Sequence, residues 1–265
     1  MKNPLLAAVV VMIFTGLPGG TASCEAGTLF LDTFNRSSFD AASNGWAIQT
    51  HAQGKGTFGR IPPMVAANRR ARFAINVASN GVITQTSTRT NATYTRPTNS
   101  SDYVEFIASL RISSAAVQQD GLLFAISVYG ADANGQDAIN MEFVTEQINS
   151  GSNAVPYDRV LISSYNDYTG GSTGKWVQYV ETSQRADLSS FVTYKMRLYR
   201  DRVDYLANGN IFATYVGSYI PDGDMKFVLT TWAPSSSWPT AESYLANSTY
   251  HYMDVDWAKV VYFDH

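Results

Sequence analysis

The sequence has a single cysteine, Cys24, so the chain cannot form a disulfide bond within itself. Charged residues are also scarce, at 15% of the chain, and the formal net charge is only -3. The lysines and arginines are scattered, which leaves no basic patch for DNA or RNA. We therefore expect the fold to be stabilised by its packed core, and we expect no nucleic-acid partner.

Two further absences narrow the chemistry and the fold class. The histidines His51, His251 and His265 are far apart in the chain and form no metal-ligand pattern, so we expect no catalytic metal and no required cofactor. No segment has the length and capping residues of a convincing helix. The chain is instead rich in aromatic residues (13%, with 16 tyrosines), which together with many Ser, Thr and Asn residues is typical of strands and turns.

The first residues are typical of an export signal. Lys2 precedes an apolar run over residues 4–14, which a Pro/Gly stretch ends. This run is too short for a membrane span. We predict a signal peptide over residues 1–23 and one domain over residues 24–265, secreted, extracellular or held at the cell surface.

Cys24 has two interpretations. It is either the lipid-modified first residue of a bacterial lipoprotein, and so a lipid anchor, or an incidental residue beside an ordinary cleavage site. Thr21 stands where lipoprotein signals usually have an aliphatic residue. The sequence leaves both interpretations open.

The rest of the chain predicts many short strands. Apolar and polar residues alternate over residues 71–77 and 103–112, and Asn208-Gly209 is typical of a tight hairpin. Many strands at short spacing without helices favour two large antiparallel sheets packed face to face. Strands are predicted over residues 28–34, 46–50, 71–77, 82–88, 103–112, 121–129, 138–145, 159–165, 175–181, 192–200, 202–207, 211–215, 225–232 and 253–263.

The strand over residues 138–145 carries the most distinctive side chains. Alternation sends Ile139, Met141 and Phe143 to one face. The other face then displays a carboxyl group with a carboxamide two residues earlier, from Ala138, Asn140 and Glu142. This pattern predicts an apolar face towards the core and a polar face towards a ligand.

Four stretches together resemble glycoside hydrolase family 16, the concanavalin A-like enzymes that cleave β-glucans and galactans. They are residues 103–111, 138–143, 191–215 and 252–260, and the similarity extends over roughly residues 28–263. The resemblance implies an all-β fold, a jelly-roll β-sandwich of two curved antiparallel sheets. It also implies a polysaccharide partner, a β-glucan or galactan, and we expect a monomer.

The resemblance also implies roles for the residues at 138–143. The family has the motif Glu-x-Asp-x-Glu, whose positions for the nucleophile, the modulating acid and the acid/base fall on Ala138, Asn140 and Glu142. Alanine cannot attack an anomeric carbon, and the retaining reaction needs two carboxylates about 5–5.5 Å apart. Asn140 can form hydrogen bonds but cannot raise a neighbouring pKa by charge repulsion.

Two other carboxylates could replace the missing nucleophile. Glu146 is four residues from Glu142, the separation of the family's pair, and shares its face if the strand extends that far. Asp137 should point to the opposite face unless a bulge reorients it. The candidate catalytic residues are therefore Glu142, Asn140 and Glu146.

Sugar rings stack on aromatic side chains, so a glycan cleft needs Trp and Tyr beside polar groups. The candidates are Trp232 and Trp238, in and after a strand, and the pair Tyr165 and Tyr168. For Trp232, core packing is an equal alternative. The resemblance also implies a structural calcium ion away from the cleft, for which Asp32 and Asp256 are conceivable ligands.

Three functions stay open at this point. The first is an endo-acting hydrolase of O-glycosidic bonds with Glu142 as acid/base, and the second is a non-catalytic, lectin-like carbohydrate-binding protein. The third is a structural surface protein, because a fold does not determine a function. A second carboxylate near Glu142 would favour hydrolysis, whereas Ala138 at the base of an aromatic-lined cleft without one would favour binding.

Overall fold

The computed structural model describes residues 25–65, 69–113, 121–145, 159–170, 174–181, 188–235 and 245–265. The predicted signal peptide, Cys24, Glu146 and Trp238 lie outside these residues. The described part of the chain forms seventeen strands and a short 3-10 turn at Ala42–Asn44. None of its helical segments is long and apolar enough to cross a membrane.

The strands β1 to β17 are, in order, Glu25–Asp32, Trp46–Ile48, Ala52–Gln53, Gly56–Phe58, Met64–Val65, Arg70–Val77, Ile83–Thr90, Tyr103–Ile112, Leu123–Ala131, Gln136–Val144, Arg159–Tyr168, Lys175–Glu181, Val192–Tyr199, Arg202–Ala207, Asn210–Val216, Lys226–Trp232 and Tyr250–Asp264.

Apart from a short parallel pairing of β4 with β7, the strands form two antiparallel sheets. The cleft sheet runs β2-β7-β16-β9-β10-β11-β12. The back sheet runs β15-β14-β13-β8-β17, with β6 and β1 side by side along the far edge of the long strand β17. Strand β7 belongs to both sheets, because its first half pairs with β6 and its second half with β16. The predicted all-β sandwich of two curved antiparallel sheets is confirmed.

The core lies between the two sheets and is strongly aromatic. Phe143 of β10 packs against Tyr194 of β13 with ring centroids 4.7 Å apart, and Phe227 of β16 packs against Phe106 of β8 at 5.8 Å. At the β12 edge, Trp176 stacks on Tyr215 of β15 at 4.6 Å. Burying each such side chain contributes about 1.5–3 kcal/mol, so these contacts hold the sheets together without disulfides.

The predicted strands agree with the structure where the pattern is long. Residues 103–112, 175–181 and 202–207 coincide with β8, β12 and β14. The predicted hairpin is present, with positive φ of 47° at Asn208 and 86° at Gly209, as a type I′ turn requires. The short strands β3, β4 and β5 were not predicted, because they are held by pairing partners rather than by their own residues.

The candidate calcium ligands have other partners. Both carboxylate oxygens of Asp32 accept hydrogen bonds from Arg36, at 2.6 and 2.7 Å, and Trp46 Nε1 donates to the same group at 2.8 Å. Asp256 pairs with Arg70 at 3.4 Å. Asp32 is therefore a poor calcium ligand as the chain is folded, and calcium binding stays a prediction.

A buried carboxylate fixes the centre of the back sheet. The side chain of Asp254 is 1% exposed, and its oxygens accept hydrogen bonds from Arg72 at 2.7 Å and Arg111 at 3.1 Å. Both arginines reach it from neighbouring strands, β6 and β8. These two ion pairs, the Asp254 fork, link the three strands β6, β17 and β8.

Replacing Asp254 with Asn should lower the free energy of unfolding by about 3 kcal/mol, because removing one partner of a buried ion pair leaves the other charge uncompensated. Asp256→Asn is the matched control, since Asp256 is 43% exposed, and it should lose less than about 1 kcal/mol. Denaturant unfolding measures both values. Equal losses in the two variants would contradict the role of the Asp254 fork.

Candidate functional site

A cleft of about 510 Å³ lies on the outer face of the cleft sheet. Its floor comes from β7, β9, β10, β11, β12 and β16, and the segment from Gln49 to Phe58 folds over one side. Backbone contacts fix this segment, since Lys55 N donates to Ala233 O at 2.8 Å and Phe58 N to His51 O at 2.9 Å. The polar face predicted for residues 138–145 is thus the floor of a cleft.

The strand register arranges the cleft floor in three rows that cross the sheet. One row contains Ala138, with Lys226 and Tyr129 on one side and Tyr165 and Lys175 on the other. The next row contains Asn140. From β7 across to β12 it consists of Arg89, Val228, Ser127, Asn140, Ser163 and Val177. The third row contains Glu142. From β7 across to β11 it consists of Ser87, Thr230, Ala125, Glu142 and Leu161. Strands lie about 4.8 Å apart, so the register gives the distance of each residue in these rows from β10.

Glu142 is a largely buried carboxylic acid at the floor of the cleft. It is 9% exposed, and its Oε2 atom has no hydrogen-bond partner among the described residues. Burial, which disfavours the charged form, raises the pKa of Glu142 to about 8. The side chain is therefore mainly protonated at neutral pH and can donate a proton.

Ala138 lies at the base of the cleft, between Tyr129 and Tyr165. Among the described residues that line the cleft, Glu142 is the only carboxylic acid. Glycoside hydrolysis by either stereochemical route uses a pair of carboxyl groups. The described residues that line the cleft supply one carboxyl group, that of Glu142.

Asn140 is positioned by its neighbour on β11. Its Nδ2 atom donates a hydrogen bond to Ser163 Oγ at 3.0 Å, and Ser163 O accepts one from the buried hydroxyl of Tyr205 at 2.8 Å. Since Asn140 is uncharged, it adds no charge repulsion to Glu142. The raised pKa of Glu142 accordingly comes from burial.

Asp137 does not substitute for the nucleophile. Although the β10–β11 register shifts between Gln136 and Ala138, the Asp137 carboxylate points away from the cleft. It accepts hydrogen bonds from the backbone N–H groups of Asp167, at 3.0 Å, and Gly223, at 2.6 Å. Glu146, the other candidate, lies outside the described residues.

One acidic cluster could in principle bind a cation. Asp137, Asp167 and Asp222 have oxygens within 4.8 Å of one another. However, both oxygens of Asp137 already accept backbone hydrogen bonds, and Asp222 lies 3.5 Å from Arg96. These contacts stabilise the charges of Asp137 and Asp222, whereas desolvation and the neighbouring carboxylates raise the pKa of Asp167.

The candidate aromatic residues fall into two groups. Tyr165 and Tyr168 line the cleft together, with ring centroids 5.1 Å apart. Burial and the nearby Glu142 raise the pKa of Tyr165 to about 12, so its hydroxyl stays protonated. Trp232 also lines the cleft, but it is 7% exposed and belongs to a small apolar cluster that includes Phe58. Trp238 lies outside the described residues.

Several cleft residues were not predicted. Tyr129 and Lys175 lie in predicted strands, and alternation would have placed them once their pairing with β10 and β11 was known. Gln49, His51 and Gln53 reach the cleft through the segment that folds over it. No local pattern signals such a fold, because the contacts that hold it are far apart in sequence.

Comparison with known proteins gives the fold a name. No family model and no curated protein matches the sequence. Solved structures do match. The β-glucanase of Bacillus licheniformis aligns with a TM-score of 0.66 and 16% identity, covering 88% of this chain and 98% of that chain. The chain has the jelly-roll fold of glycoside hydrolase family 16.

Two further structures give the same result. The endo-1,3-β-glucanase of Streptomyces sioyaensis aligns with a TM-score of 0.65 and 16% identity, covering 93% of this chain and 99% of that chain. A family 16 endo-glucanase from Bacteroides ovatus aligns with a TM-score of 0.64 and 14% identity, covering 88% and 99% of the two chains. The fold inferred from four stretches of sequence is therefore confirmed, and function has to be argued from the site.

The raised pKa of Glu142 predicts a pH-dependent cost to stability. Between the ordinary pKa of 4.5 and about 8, the unfolded chain releases this proton whereas the folded chain keeps it. Stability should therefore fall as pH rises through this window. Glu142→Gln removes the effect, so its gain in melting temperature over wild type should grow between pH 4.5 and 8 and then level off.

Thermal unfolding of both proteins across this pH range measures the difference. Glu105→Gln is the contrasting variant, since Glu105 is 2% exposed but pairs with Lys195 and Arg197, and its loss should destabilise the fold. If the difference in melting temperature between Glu142→Gln and wild type does not change between pH 4.5 and 8, the pKa of Glu142 is not raised in the folded protein.

Proposed function

We propose that this protein binds a β-glycan, a β-glucan or galactan, in the cleft and does not cleave it. The observation that carries this proposal is Ala138 at the base of the cleft, four residues before Glu142, the single carboxylic acid among the described residues that line it. Among these residues a glycan meets a proton donor but no carboxylate that could form or stabilise a glycosyl intermediate.

The cleft lining suits a neutral sugar chain in other respects. Tyr129, Tyr165 and Tyr168 offer aromatic faces for the apolar sides of sugar rings. Asn140 and the amide side chains around it offer donors and acceptors for hydroxyl groups. Since the rows cross several strands, an extended glycan can contact successive residues of the cleft floor.

Hydrolysis is the second candidate, and one observation favours it. A carboxylic acid that is protonated at neutral pH is what a general acid requires, and Glu142 meets that condition. The reaction would also need a second carboxylate, for which Glu146 is the candidate from sequence. In that case the enzyme would be endo-acting and retaining.

The proposed site of action is outside the cell, either secreted or at the cell surface. The export signal predicted over residues 1–23 supports this location, and the two interpretations of Cys24 decide between free and lipid-anchored protein. The protein acts as a monomer on a polysaccharide.

Binding and cleavage are measured separately on a panel of β-glucans and galactans, by calorimetry and by release of reducing ends. Wild type should bind at least one polymer and release no reducing ends. Ala138→Glu restores the second carboxyl group and should gain measurable cleavage, whereas Glu142→Gln should bind and stay inactive. Cleavage by wild type that Glu142→Gln abolishes would establish the hydrolase instead, and no binding to any polymer would leave a structural role.

Removing a stacking surface should weaken binding without affecting the fold. Tyr165→Ala and Tyr168→Ala should each reduce affinity about tenfold, or ~1.4 kcal/mol, because a sugar ring loses its aromatic contact. Tyr262→Ala is the control, since Tyr262 lies in the back sheet, where its hydroxyl contacts Asp102 at 2.8 Å. Equal affinity in all three variants would place the glycan elsewhere on the protein.

A further inference from the structure

A second pocket, of about 530 Å³, opens beside the cleft. Gln49, His51, Tyr129 and Gln136 line both spaces, so the two are continuous. Arg89 lines the second pocket only. The pocket is strongly polar and differs in this respect from the aromatic floor around Ala138.

Arg89 is a cation without a side-chain partner among the described residues. It is exposed, and its guanidinium makes no ion pair, hydrogen bond or ring contact with any residue that the structure describes. Other arginines of the chain are held by carboxylates, among them Arg36, Arg72 and Arg197. An arginine kept without a partner in a pocket leaves its planar fork of donors available to a ligand.

No aspartate or glutamate is among the described residues that line the pocket of Arg89. Glu142, the single acid among the described residues that line the adjoining cleft, is mainly neutral at pH 7. The acidic cluster at Asp137 and Asp222 opens onto a different pocket.

The same face carries a second cation at its opposite side. Lys175 ends the Ala138 row on β12, and its Nζ atom lies 3.3 Å from the hydroxyl of Tyr168. It has no carboxylate partner in the described part of the chain. Among the described residues, the lining of the cleft and of the second pocket therefore includes the cations Arg89 and Lys175 and, with Glu142 protonated, no anion, although the chain as a whole has a net charge of -3.

Amide groups around Arg89 complete the chemistry of an oxyanion site. The Oε1 atom of Gln49 accepts a hydrogen bond from Ser87, which leaves the Gln49 amide N–H donors for a ligand. Gln136 is exposed and lines the same pocket. An arginine fork with neighbouring N–H donors matches the geometry of a sulfate or a carboxylate.

We propose that this pocket is a subsite for an anionic substituent of the glycan, a sulfate ester or a uronate carboxylate, held by Arg89. The inference rests on the proposed function, because it deepens the description of the same binding face. Three strand spacings separate Arg89 on β7 from Asn140 on β10, which is about 14 Å. The charged group would therefore belong to a sugar a few units away from the one above Ala138.

The test compares four polymers by calorimetry at low and moderate salt. They are a sulfated galactan, the same galactan after desulfation, a β-linked polyuronate and a neutral β-glucan. Wild type should bind an anionic polymer at least tenfold more tightly than the neutral ones, and added salt should reduce this advantage. Preference for the sulfated galactan or for the polyuronate identifies the anionic group.

Arg89→Gln should lose about tenfold in affinity for the preferred anionic polymer and less than twofold for the desulfated galactan. Arg69→Gln is the matched control, because Arg69 also has no ion pair within the described part of the chain but lies in an exposed turn before β6. Its affinities should equal those of wild type, and both variants should keep the wild-type melting temperature.

Two results would overturn the inference in different ways. If wild type binds neutral polymers as tightly as anionic ones, or if Arg89→Gln binds every polymer like wild type, the anionic subsite is excluded while glycan binding stands. If wild type binds none of the four polymers, the proposed function fails and the subsite fails with it.

Discussion

The two-residue period of β10 is the constraint on which both the core and the site depend. Ile139, Met141 and Phe143 are completely buried between the sheets, which fixes the register of this strand against β9 and β11. The alternating residues Ala138, Asn140 and Glu142 must then face the cleft. A slip of one residue would place three apolar side chains on the outer face and a carboxyl group in the core. The packing energy of the sandwich thus sets the geometry of the binding face.

The electrostatic potential of the cleft face depends on the loss of acidic residues as well as on the presence of basic ones. In the family 16 pattern three acidic residues would line one face of this strand, whereas here Ala138 and Asn140 are neutral and Glu142 keeps its proton. The same face holds Arg89 and Lys175. A cleft with fewer negative charges repels an anionic polymer less, which is the electrostatic basis of the subsite proposed at Arg89.

Sequence patterns predicted those structural features that depend on residues close together in the chain. The face of Asn140 and Glu142, the strand bounds of β8 and the Asn208 hairpin follow from alternation and turn chemistry. Patterns did not predict what depends on distant pairing. The Gln49–Phe58 segment covers the cleft because Thr57 pairs in parallel with Thr84 and Lys55 meets Ala233. The burial of Glu142, and with it the protonation state, is a property of the assembled sheet, and no single stretch of sequence contains it.

Sharing β7 between the sheets makes the two sides of the sandwich mechanically unequal. On one side the hydrogen-bond network continues from β6 through β7 into β16, so the layers are joined by the chain itself. On the other side, at β12 and β15, Trp176 and Tyr215 touch through stacked rings. Side-chain contacts are individually weaker than the pairing of a continuous strand, so the two layers are joined more strongly at β7 than at the β12 edge. Arg89 therefore lies on the strand that joins the layers, and Lys175 lies on the edge where side chains alone join them among the described residues.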